Sequence, residues 1–244
     1  MENLNRTPPR WMQQWWLWFS LVFGMTLAIF WSKFIIGIDD YKVPVIIHGM
    51  SAIAWMLLTI VQALLIKSRR RKLHRTTGYL SLILAAIVVL SGLQMERQQI
   101  QSHGADLFGE SFLTIKFFYN DVTALFLFCM FLTLAVFAAR RRDIALHLRL
   151  IACTVIIPTT PVLLRFFVRH TPQIAPDWTT ALLASQVALI SLTLTLVLFE
   201  LRYSRFRWPF ASLLVYYLIM LLTTKAFASH QWLQNIAMGF AGGM

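Results

Sequence analysis

The sequence predicts an all-α polytopic membrane protein: seven transmembrane helices, N-terminus in and C-terminus out, around a duplicated four-helix core formed by helices two to five. Three observations carry this. The chain has 244 residues of which 58% are hydrophobic and 13% charged, with a mean hydropathy of +0.66, far too apolar for a soluble domain of this size. Seven apolar runs approach the roughly 20 residues a helix needs to cross a hydrocarbon core, and none alternates with period two as a barrel strand would. The basic residues gather between alternate runs. The N-terminus and the turns after the second, fourth and sixth runs hold 15 of the 22 Lys and Arg residues, which places those segments in the cytoplasm by the positive-inside rule.

Taken in order, residues 1–15 are polar with Arg6 and Arg10, and Trp11, Trp15, Trp16 and Trp18 form an aromatic belt suited to the headgroup layer. The first run, 16–38, is too long for a signal peptide and lacks a small-residue cleavage site, so it reads as a retained helix. Asp39, Asp40 and Tyr41 make a short outer turn before the second run, 43–66. The segment 65–78, LIKSRRRKLHRTTG, is a basic inner turn leading into the third run, 77–93. Residues 94–116 read as one long external loop with Glu96 and His103 in solvated positions. The fourth run, 119–139, ends in a second basic turn, RRRDIALHLRL at 140–150, and the fifth, 146–168, contains Pro158 and Pro161, which predict a kink. A proline-bearing outer loop at 169–177, a sixth run at 179–201, a basic turn at 202–207 and a seventh run at 209–227 leave residues 229–244 outside. Together these make a single integral membrane domain, 1–244.

Several function classes are excluded. A net charge of +12 suggests nucleic acid, but the cations lie between spans rather than on one soluble face, so they set orientation. No Gly-rich phosphate loop or Ser/His/Asp arrangement supports an ATP-driven machine or a hydrolase. Cys129 and Cys153 fall inside apolar runs, where a thiol acts as a small hydrophobe and no disulfide is implied.

The candidate chemistry lies in a duplicated hairpin, 43–93 and 119–168. His48 precedes His74 by 26 residues and Asp121 precedes His147 by the same 26, so an offset of 73 pairs His48 with Asp121 and His74 with His147. The inner pair, His74 and His147, has the chemistry of two axial ligands of a b-type haem, with Arg75 and Arg149 able to meet its propionates. The plainer reading places both histidines among headgroups or at helix caps. At the outer end, His48, Ser51, Asn120, Asp121, Arg165 and Lys225 form a polar set that could take a quinone, a small anion or a divalent metal held by His48 and Asp121. Its plainer reading is an ion pair that orients helices. Glu96, His103, His170 and His230 read as surface residues, and Gln62 and Trp55 as packing and hydrogen-bonding ones.

The stretch 48–78, HGMSAIAWMLLTIVQALLIKSRRRKLHRTTG, resembles a group of bacterial membrane proteins of unknown function whose pattern is an early His, then a Gln, then HRxxG. The HxRL at 147–150 resembles the second half of that pattern, and the likeness covers about residues 45–168. The placement of histidines is also similar to the cytochrome b561 architecture, in which helices two and four hold one haem and helices three and five the other. That resemblance implies an inner haem on His74 and His147, while Asp121 departs from the outer pattern. The expectation is therefore a redox-linked protein of the bacterial inner membrane, binding haem b, a quinone, or both. The alternative is a non-enzymatic binding, transport or assembly subunit for a respiratory complex, with a respiratory-chain partner or a second copy of itself, and with no nucleic acid.

Overall fold

The computed structural model describes residues 14–31, 42–102, 113–203 and 206–242. Every regular element among them is a helix: α1 (Trp15–Trp31), α2 (Val43–Lys67), α3 (Arg71–Ser102), α4 (Leu113–Arg140), α5 (Ile144–Ile156), α6 (Thr159–His170), α7 (Trp178–Tyr203), α8 (Trp208–Ala228) and α9 (Gln231–Ala241). Six segments, with α5 and α6 counted as one, are long and apolar enough to cross a membrane, and α1 is a shorter apolar helix. The chain is a multi-pass helical membrane protein. Residues 32–38, which complete the first expected span, lie outside the described residues, as do Arg6, Arg10, Trp11, Asp39, Asp40, Tyr41 and His103.

The long loop expected at 94–116 is largely helix. α3 continues to Ser102, and its 32 residues extend about 48 Å at the standard rise. The cause is visible in its buried face: Val88, Gly92, Glu96 and Ile100 recur every four residues and are all buried, so the stripe facing the bundle outlasts the apolar run. Gln, Met, Glu and Arg are also good helix formers. On the other side α4 starts at Leu113, burying Thr114, Ile115, Lys116 and Phe118 in its first two turns.

The segment after residue 229 holds a second unexpected element, α9. Too short to span, it lies across the ends of α3, α4 and α8. Leu233 and Ala237 pack with Ile100, Ile115, Phe118 and Ala228 into a small separate core, while Trp232 and Ile236 stay exposed. Gln101 Nε2 donates to the Ala241 carbonyl (2.7 Å), and Gly242 ends the helix at φ 101°, a left-handed cap that glycine adopts without strain.

The proline pair divides the fifth span. Pro158 cannot donate to the preceding turn, so α5 ends at Ile156, and Pro161 falls in the first turn of α6, where backbone N–H groups have no intrahelical acceptor.

The two hairpins α2–α3 and α4–α5 are copies at the level of single hydrogen bonds. Arg70 N donates to the Leu65 carbonyl (2.8 Å) and Arg69 N to Ile66 (3.0 Å). In the second turn Asp143 N donates to Ala138 (2.9 Å) and Arg142 N to Ala139 (3.0 Å). Each is a Schellman motif, the two lie 73 residues apart, and both place an arginine, Arg69 or Arg142, at φ 60° where glycine is usual. Each hairpin makes most of its contacts within itself, and α2 meets α5 and α3 meets α4 over shorter stretches along a seam that the shared core closes, with Trp55 packed edge to face on Phe128 (5.1 Å between ring centroids).

One difference is that the second turn ends in a capping acid. Asp143 accepts from the Leu146 backbone N–H (3.0 Å) and from Arg207 Nη1 (2.9 Å), tying the start of α5 to the start of α8. The backbone bond from Leu146, and then the Arg207 charge, hold its carboxyl below the ordinary carboxylate value. A depressed native value means that this stabilisation is present above the unfolded carboxylate range, near pH ~4, and is lost as pH falls through the native value. Asp143→Asn is therefore expected to lower the melting temperature at neutral pH, with the difference from wild type closing once the pH falls below the ordinary carboxylate range. A difference that stays constant through and below that range would remove the ionised acid from the account.

Candidate functional site

The bundle carries polar side chains in two places, one near the basic turns and one toward the opposite end. Near the basic turns, His74 on α3 and His147 on α5 come within electrostatic reach of one another across the seam. His147 Nδ1 lies 2.9 Å from the Ala135 carbonyl. A carbonyl only accepts, so Nδ1 carries the hydrogen and Nε2 keeps the lone pair that could bind a metal. His74 Nδ1 rests on the Gln62 side-chain amide. Because the Thr77 hydroxyl donates to the Leu73 carbonyl (2.8 Å), it can receive the Gln62 N–H (2.8 Å), which turns the amide oxygen toward Nδ1. The opposite amide orientation donates its N–H to His74 Nδ1 and to the His74 carbonyl (3.2 Å) and receives at its oxygen from Gly78 N (3.1 Å) and Thr77 Oγ1 (2.8 Å), and it removes the meeting of two acceptors at the His74 carbonyl, so the His74 tautomer follows the amide rather than being fixed as that of His147 is. Gln62 precedes His74 by 12 residues and Ala135 precedes His147 by 12, so the repeat extends to what holds each ring.

The two arginines beside these histidines differ. Arg75 is exposed beside an open groove with Arg71, Lys72, Thr76 and Tyr79. Arg149 forms an ion pair with Glu200 of α7, whose side chain is only 3% exposed, and Glu200 also accepts from the Arg207 backbone N–H (3.3 Å). A residue expected to meet propionates is thus committed to a buried acid.

Toward the opposite end, His48 Nδ1 lies 3.1 Å from the Val88 carbonyl and 3.4 Å from Ser91 Oγ. Its ring lies against Gly92, where an added Cβ would meet His48 Cε1 at 3.0 Å and Leu125 Cδ1 at 3.2 Å. A glycine lets the three helices meet closely here, since an added side chain would press on the His48 ring and on Leu125. Gly92→Val is expected to cost about 1–3 kcal/mol through overpacking and to weaken the His48 bond to Val88. An unchanged unfolding midpoint, with an unchanged His48 NMR signal, would count against that close contact.

In the second hairpin the positions of His48 and Gly92 are taken by Asp121 and Arg165, 44 residues apart in each case. Asp121 lies within electrostatic reach of Arg165 and within hydrogen-bonding reach of Glu96. Arg165 Nη1 donates to the Pro161 carbonyl (3.1 Å), and its guanidinium sits 4.8 Å from the Phe30 ring centroid. The surface role expected for Glu96 is overturned. With α3 extended, its side chain falls on the buried face and is 1% exposed.

The remaining members of the expected outer set lie elsewhere. Ser51 donates to the His48 carbonyl of its own helix (3.0 Å). Asn120 joins Gln186 of α7 and Thr224 of α8 in a buried amide–hydroxyl triad, with Gln186 Nε2 donating to Asn120 Oδ1 (3.0 Å) and Asn120 Nδ2 to Thr224 Oγ1 (3.2 Å). Lys225 is exposed near Lys116, which itself reaches Thr179 Oγ1 (3.4 Å). Glu96, Glu200 and Gln186 carry much of the buried polarity, and none was singled out as a site residue from the sequence. Among the described residues no three His, Cys, Asp or Glu side chains gather into a metal-binding group. No protein-family model, curated protein or solved structure matches the chain.

Proposed function

We propose that this chain is a redox-linked protein of the bacterial inner membrane, with its basic turns in the cytoplasm, that holds one b-type haem between His74 and His147. The reading rests on the pairing of these two imidazoles from matching positions of the repeated hairpins, each with Nδ1 against a polar group of its own hairpin, Gln62 or the Ala135 carbonyl, and with His147 Nε2 left to bind iron. Two neutral imidazoles suit haem iron, and a hydrogen bond at Nδ1 orients such a ligand and raises its basicity. When bound, the group supplies one-electron chemistry. The protein's part is to fix the ring planes through Gln62 and the Ala135 carbonyl and to shield the seam with apolar helices.

The charge on the basic face, with Arg75 in its groove, supports docking of an anionic partner of the respiratory chain, while a quinone would bring its carbonyls toward the opposite end. The Glu96, Asp121 and Arg165 cluster favours a second reading, a binding or transport protein without a redox centre. Absorption spectra of the purified protein, oxidised and then dithionite-reduced, separate the two. A b-type signal near one haem per chain supports the first. A featureless spectrum from folded, haem-supplemented protein overturns it in favour of the second.

A further inference from the structure

Glu96 and Asp121 form an acid pair that the redox reading does not use. Glu96 Oε1 is buried and receives no hydrogen bond from an N–H or O–H donor among the described residues, a state proteins avoid because it forfeits solvation without replacement. The group within hydrogen-bonding reach of this carboxyl is the carboxyl of Asp121. Two ionised carboxylates have no hydrogen to share and repel. Their contact is attractive only when one acid is protonated and its O–H donates to the other. The charges agree, since Arg165 supplies one positive charge beside Asp121. Two ionised acids would leave a net negative charge in the bundle interior, whereas one proton leaves the cluster neutral.

We propose that Glu96 and Asp121 form a binding site for a single proton in the bundle interior, with Arg165 as its fixed countercharge. The surroundings fit a site for a proton alone. From α2, His48 lies one turn along the same face of α3, at Gly92. From α8, Tyr216 lies within electrostatic reach of Asp121, with its hydroxyl 3.2 Å from Thr123 Oγ1. Arg97, on α3 itself, turns to the Ala241 carbonyl (3.5 Å), and Lys116 of α4 reaches away to Thr179. The ionisable groups of α5, namely His147, Arg149 and Cys153, lie toward the basic turns, and α9 carries none. α9 also covers this end of α3 and α4, so the pair lies beneath the small core formed by Leu233 and Ala237. The site stands apart from the histidine pair, and neither proposal requires the other.

Infrared spectroscopy of the full chain in nanodiscs at neutral pH tests it. Wild type is expected to show the carbonyl band of an un-ionised carboxylic acid, shifted in D2O. Glu96→Gln is expected to lose that band, because Asp121 then remains as the ionised partner of Arg165. Circular dichroism and a single elution peak establish that the variant is folded. A wild-type spectrum without such a band overturns the proposal whatever the variant does, as does a band that persists undiminished in folded Glu96→Gln. Should that variant fail to fold, isotopic labelling of the Glu and Asp carboxyls in wild type makes the decision: a band that shifts with neither label overturns the site, and one that shifts supports it.

Discussion

Arg149→Met is expected to destabilise the protein more than any other single change at the basic end, by about 3–5 kcal/mol, the range for removing one partner of a buried pair. Glu200 is 2% exposed and its carboxylate faces the guanidinium of Arg149 across the α5–α7 boundary. Without that charge the acid must stay ionised in an apolar setting or take up a proton, and each alternative costs free energy. The matched double change, Arg149→Met with Glu200→Leu, removes both charges and is expected to recover most of the loss, because a buried pair is often no better than apolar residues of similar volume. Arg75→Met serves as the control. Arg75 is exposed, so its removal is expected to stay within about 0.5 kcal/mol. Reversible denaturant titration in mixed micelles reads all three. A loss below about 1 kcal/mol for Arg149→Met, the ordinary range for a surface pair, would sink the buried-pair account. The same series separates the two roles considered for Arg149. A propionate partner would leave the haem-free protein's stability unchanged on substitution, whereas a partner of Glu200 would not.

How much of this was legible in the letters depends on whether the signal was local. The two basic turns announce themselves by composition, and the 73-residue offset follows from the positions of His48, His74, Asp121 and His147. The helix content and the six long spans follow from apolar runs alone. The turn chemistry was hidden, because a Schellman cap is ordinarily flagged by glycine and both copies use arginine at φ 60°. The misplacement of Glu96 has a clear physical cause. The apolar run ends at residue 93 and predicts a helix end there, whereas helix α3 ends only when its buried stripe does. The signal was present as the four-residue recurrence of Val88, Gly92, Glu96 and Ile100, and an acid on that stripe looks like a loop residue until Asp121 and Arg165 are placed beside it. Arg149 shows the opposite limit: its adjacency to His147 was visible, but its partner Glu200 is 51 residues away on α7. The α9 helix was missed for a third reason. Its apolar positions Leu233 and Ala237 are too few to register as a span, and they find their partners only after α3, α4 and α8 have met.

The largest functional effect is expected from the histidine pair itself. If haem is held there as proposed, His147→Ala would remove one of the two imidazoles that would hold it. Bound haem is expected to fall at least about tenfold, a loss of at least about 1.4 kcal/mol in binding, and His74→Ala is expected to match it, since the two rings occupy equivalent positions of the repeat. His170→Ala, at an exposed position near the far end of α6, is expected to retain wild-type haem. Gln62→Leu makes the sharper distinction. It leaves both imidazoles in place and removes the amide beneath His74 Nδ1, so a ligand role predicts a loss of affinity of about 10–100-fold together with a changed reduction potential. A merely structural Gln62 would lower stability and leave the potential of the retained haem where it was. His147, held by a backbone carbonyl, offers no such side chain to remove, so the two halves of the repeat respond differently to substitution although their rings are equivalent. Haem quantified against protein, followed by a spectroelectrochemical titration, gives both readings on one sample. Wild-type haem content in either histidine variant would remove that residue from the ligand pair.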